Sequence, residues 1–259
     1  MRKVGVLVFS IVFLLVGAVG VNAKTVNPNA NSNGQIPEIS GDYAVEGNPK
    51  LRVRVFVHGD KSGNHTSQVT APICEDNRSD AVTGGAGWKL PNTTINYKLN
   101  QASAPSGIRS SVPSFVSASF NKWTNAITLD GTTSAKPILV ANGTTSVTRS
   151  RYDGQNIIAW GRTSGSTLGV TYVWYWTATK LVAEVDTIMN NRVSWNLSCT
   201  TSSYNADNIM IHELGHWFGL NDHYTGGFVE NTMYGYGSKG ETKKISPENG
   251  DFLGLNLIY

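Results

Sequence analysis

From residue 51 the chain alternates. Leu51, Val53, Val55 and Val57 are apolar, with Arg52, Arg54 and Phe56 between them, and that period of two predicts a strand. A second alternation, Ile95, Tyr97 and Leu99 within Thr93–Asn100, predicts another. The period then changes to that of a helix: Ile108, Val112, Phe115, Val116, Trp123 and Ile127 share one face, with Pro113 tolerable only in a first turn. Four β-branched and aromatic runs follow as strands: Ile138–Ala141, Asn156–Gly161, Val170–Trp176 and Leu181–Met189. Ala206–Leu220 reads as a helix with Asn205 as N-cap, Asp207 in the first turn and Gly219 at the C-terminal end. Ser246-Pro247-Glu248 opens a last short helix whose apolar side is Phe252, Leu253, Leu255 and Ile258. Lys24–Pro49 shows no period and reads as a flexible leader, and Gly59–Gly87 reads as loop. The expected organisation is an N-terminal leader or propeptide-like extension over 24–87 and one α+β domain over 88–259.

Residues 1–23 carry a different signal. Arg2 and Lys3 precede an apolar run from Val4 to Val21, and Val21-Asn22-Ala23 offers small residues for cleavage after Ala23. That layout predicts a signal peptide and a secreted, soluble protein, with no membrane attachment after cleavage. Charged residues are 15% of the chain and the net charge is +3, so no basic surface for nucleic acid is implied. Five N-x-S/T sequons, at Asn64, Asn77, Asn92, Asn142 and Asn196, suit an exported chain. In an oxidising compartment the two cysteines, Cys74 and Cys199, are candidates for one disulfide.

The chemistry lies near the C-terminus. Three of the five histidines fall in His212-Glu213-Leu214-Gly215-His216-Trp217-Phe218-Gly219-Leu220-Asn221-Asp222-His223. Residues i and i+4 stack on one helix face, so His212 and His216 can converge on one ion. Zinc takes neutral imidazole, and a catalytic site keeps three protein ligands with one position open. Glu213 then stands next to a ligand, placed to take a proton from water. His-Glu-x-x-His with a glycine seven residues after the first histidine is expected far less than once by chance in a chain of this composition.

This segment resembles the metzincin metallopeptidases, whose pattern H-E-x-x-H-x-x-G-x-x-H is followed by a Met-turn. Here the third-ligand place holds Asp222, and the histidine comes one residue later as His223. An aspartate there is similar to the snapalysin family, in which G-L-x-D-H-Y follows the helix, as Gly219-Leu220-Asn221-Asp222-His223-Tyr224 does here. The resemblance implies zinc held by His212, His216 and Asp222, with His223 as the alternative third ligand, and Glu213 as general base. Asn231-Thr232-Met233-Tyr234 resembles the Met-turn, with Met233 as an apolar floor under the metal; the final helix is matrixin-like. It further implies a zincin fold: a twisted mixed sheet, an N-terminal helix, the active-site helix and a C-terminal helix after the Met-turn. Val170–Trp176 would be the edge strand that pairs with a bound peptide, and Asp186, Asn190 and Trp195 would be structural. A zymogen of the matrixin type holds a cysteine on its zinc, so Cys74 has two readings, a disulfide with Cys199 or a cysteine switch. The expected function is a secreted, monomeric zinc endopeptidase acting on protein or peptide substrates. The alternative is a catalytically silent, zinc-stabilised extracellular binding or surface protein.

Overall fold

The computed structural model describes residues 25–26, 36–61 and 71–259. The expected signal peptide over 1–23 lies outside them. In chain order the elements are β1 (Thr25–Val26), β2 (Gly41–Val45), β3 (Asn48–Asp60), β4 (Thr94–Leu99), α1 (Ser106–Arg109), α2 (Val112–Thr124) and β5 (Ile138–Thr144). They continue with β6 (Ile157–Gly161), β7 (Thr167–Trp176), β8 (Val182–Asn190), β9 (Trp195–Asn196), β10 (Tyr204–Asn205), α3 (Ala206–Trp217), β11 (Tyr236–Gly237) and α4 (Asn249–Asn256). Among the described residues the architecture is mixed α+β: a nine-stranded sheet in the order β1-β2-β3-β7-β8-β6-β4-β5, with β11 added to β3, a small β9-β10 pair and four α-helices.

The sheet has two parts with different character. β5, β4, β6 and β8 run parallel to one another, while β7 is antiparallel to β8. On the other side of β7 lies β3, antiparallel over nine residue pairs from Leu51↔Trp176 to Gly59↔Thr167. Being buried on both faces, β7 shows a nearly continuous apolar run. One core fills the space between sheet and helices, centred on Trp123, Trp160, Trp217 and Phe120. The opposite face has its own core, in which Leu51, Val53 and Val55 meet Val170, Tyr172 and Trp174.

Several expectations change. Within the 24–87 extension, β2 and β3 are strands of the same sheet as β4–β8. Gly41–Val45, inside the 24–49 stretch read as flexible, is a strand; it is five residues long with only Tyr43 and Val45 turned inward, too little alternation to stand out. Val170–Trp176 is not an edge, because β3 pairs along it. The helix expected over 108–127 is two, α1 and α2, with Val112 and Pro113 opening the second. α3 ends at Trp217, three residues early. There the amides of Gly219 and Leu220 turn back to the carbonyls of His216 and Gly215, with Gly219 at φ +94°. Cys74 and Cys199 form a disulfide with Cα atoms 5.8 Å apart, so Cys74 is not a switch on the metal centre. Among the described residues no helix is long and apolar enough to cross a membrane.

Candidate metal centre

Asn205 caps α3, its side chain accepting from the Asn208 amide at 3.0 Å, and the helix presents His212 and His216 one turn apart. The turn that ends α3 then returns the chain so that Asp222 faces both rings. Its Oδ1 lies 3.0 Å from His212 Nε2 and 3.3 Å from His216 Nε2. Tetrahedral ligand atoms at about 2.0–2.1 Å from zinc stand about 3.3 Å apart, close to these separations. His212, Glu213 and His216 are fully buried, and these three facing atoms have no hydrogen-bond partner.

The opposite nitrogens are engaged. His212 Nδ1 lies 2.7 Å from the Thr232 carbonyl, and His216 Nδ1 lies 2.9 Å from the Leu220 carbonyl. A carbonyl only accepts, so each Nδ1 carries the proton and each Nε2 turns its lone pair to Asp222. Two lone pairs and a carboxylate oxygen at this distance repel unless a cation or proton joins them. Burial holds His212 down at about 4, whereas His216 is raised against its burial by the Asp222 carboxylate, with Glu213 and the Leu220 carbonyl adding to it. The donor set fits a divalent metal and suits zinc.

The supports of these ligands are specific. Thr232 donates its amide to Asp251 of α4 at 2.8 Å, which fixes the carbonyl that holds His212. Met233 is fully buried beneath α3, and a Cβ on Gly215 would collide with its sulfur, so only glycine lets the helix lie this close. Asp222 Oδ2 accepts from the Tyr224 hydroxyl at 3.1 Å. His223 points elsewhere: its Nε2 accepts from the Gly84 amide at 2.8 Å and its ring stacks on Phe228 at 3.9 Å. The structure therefore brings together His212, His216 and Asp222, and leaves His223 outside the cluster.

Glu213 points toward β7. Its Oε2 accepts from the Thr171 hydroxyl at 2.6 Å, while Oε1 has no partner. Gly169, on the same strand, leaves room for this carboxylate, which a Cβ would meet at 2.6 Å. Burial raises the carboxyl to about 7, against the opposing pull of His216 and the Thr171 hydrogen bond. The residues expected to be structural make structural bonds. Asp186 accepts from the amides of Arg151 and Ile157, Asn190 donates to the Thr167 carbonyl, and Trp195 donates to the Asn190 carbonyl.

One residue escaped the sequence reading. His58 of β3 is buried against the centre, its ring edge-on to His212 with centroids 4.0 Å apart and Nδ1 3.8 Å from Glu213 Oε1. With His212 and Glu213 it forms a second group able to hold a metal. Burial, with His212 and Lys244 nearby, keeps it well below the usual histidine range and hence neutral. The signal was there: positions 52, 54, 56, 58 and 60 share the β3 face opposite Val53 and Val55, and His58 is the one imidazole among them. Compared with known proteins, the chain matches no family model and no curated protein.

Proposed function

We propose that the chain is a zinc-dependent endopeptidase of the metzincin type, as its H-E-x-x-H-x-x-G-x-x-D segment suggests. The observation that carries the reading is the convergence of His212 Nε2, His216 Nε2 and Asp222 Oδ1, with both Nδ1 atoms held by carbonyls. The unpartnered Glu213 Oε1 adds the base that a purely structural site does not need. His212, His216 and Asp222 would hold the zinc, which when bound supplies Lewis acidity toward a carbonyl and toward water. Glu213 takes the proton of the attacking water at Oε1 and delivers it to the leaving amine as the C–N bond breaks. Thr171 holds the other oxygen and so fixes the carboxylate. Met233 under Gly215 and α4 behind Thr232 support the zincin layout, and the disulfide fits an exported protein.

The second reading, a silent zinc-stabilised binding protein, draws support from the burial of the centre. Zinc content and cleavage of casein or a short fluorogenic peptide separate the two. In whichever form cleaves, wild type or Phe56→Ala/His58→Ala, adding Glu213→Ala should keep zinc and lose at least about 100-fold in cleavage. A zinc-loaded, folded protein that cleaves neither substrate, also when Phe56 and His58 are both alanine, would favour the silent reading.

A further inference from the structure

Every element from β4 to α4 follows Trp88, and every strand from β1 to β3 precedes residue 61. The two sets of strands join along one seam, β3 on β7, together with a short contact of β3 with β11. That seam runs across the metal centre. Phe56 lies flat on the His216 ring at 3.8 Å and 10°, and His58 stands edge-on to His212. The main chain of β3 is antiparallel to β7 on one side and at Gly59–Asp60 parallel to β11 on the other. An extended peptide reaching Glu213 would need this slot, because main-chain pairing is what a strand-binding groove offers.

His58 makes the seam unusual. Its two ring nitrogens are buried without any hydrogen-bond partner, a desolvation cost that a leucine there would avoid. Phe56 has no such cost. A strand whose only task was to fill the core would not need an imidazole turned toward Glu213.

We propose that β3 is a built-in occupant of the peptide groove, with His58 facing the side of the metal cluster where Glu213 lies, so that the chain as folded is latent. This rests on the metallopeptidase reading. Access requires β3 to leave β7, and β7 then becomes the edge strand that the metzincin resemblance implies.

The test uses the full chain loaded with cobalt(II), a short peptide hydroxamate as probe, and three forms of the protein. The first is wild type and the second is Phe56→Ala/His58→Ala. The third is Arg54→Cys/Val173→Cys, whose positions are opposite each other in the β3–β7 register, with each single substitution as an unstapled control. Visible absorption of cobalt reports the metal's surroundings, titration reports affinity, and intact mass counts disulfides. Expected are weak probe binding by wild type, at least about tenfold tighter binding by the double alanine variant, and loss of binding once the staple forms. The cobalt spectrum of the alanine variant should differ before probe is added, and probe should lower hydrogen-exchange protection over 52–58. If stapled and unstapled proteins bind the probe equally, β3 is not in the way: latency is overturned while the metallopeptidase reading stands. Should no form bind it although all hold one cobalt per chain, both fall together. The staple comparison decides even where the double alanine variant does not fold.

Discussion

Three histidines are buried at one centre, and two regions of the molecule treat them differently. His212 and His216, on α3, each have one nitrogen held by a carbonyl, so the free nitrogen is aimed before any metal arrives. His58, on β3, has neither nitrogen held. The difference teaches how a ligand can be told from an occupant. A ligand is oriented from behind by the chain, whereas an occupant is located only by the strand that carries it.

The largest effect should break this comparison outright. His212→Ala should lower zinc affinity by at least about 100-fold, measured by competition with a chromophoric chelator, while His58→Ala should change it only a few-fold. Equal losses would make His58 a ligand of the same standing. Next comes the tether between regions. Cys74→Ser/Cys199→Ser opens a cross-link of sequence separation 125, and chemical denaturation should show a loss of up to about 4–5 kcal/mol.

A third test separates Glu213 from a buried acid with no open oxygen. Glu184 accepts from the amides of Asp153 and Gly154, yet burial raises it to about 7. Its folded value lies above its unfolded one, so the stabilisation is complete below about 4.5 and disappears as pH rises through about 7. Wild-type stability should fall across that window by up to about 3 kcal/mol more than that of Glu184→Gln. A parallel pair of curves would show that the Asp153 and Gly154 amides already stabilise the charged form. The smallest effect sharpens the helix side: Gly215→Ala should cost about 1–3 kcal/mol through Met233 and Trp123, with zinc content measured alongside.

Legibility followed how local each feature is. The α3 motif, its Asn205 cap and Gly219 were readable because their physics lies within one helix and its turn. β5–β8 were readable from β-branched and aromatic runs. The choice between Asp222 and His223 was not, since it depends on the Met233 carbonyl, which accepts from the His223 amide at 3.0 Å and turns that side chain away. β3 was readable as a strand, but nothing within it tells that its partner is β7. His58 stands 154 positions before His212, and only the folded sheet joins them.

The seam also has a consequence for how the chain folds. Val57 and Val170 are paired although more than a hundred residues separate them, so β3 can dock only after a large loop closes. Everything from β4 to α4 can collapse by shorter closures first. Once Cys74 is joined to Cys199, the path from Val57 to Val170 through the cross-link shrinks to fewer than fifty residues. The order of oxidation and docking therefore sets how quickly the sheet is completed.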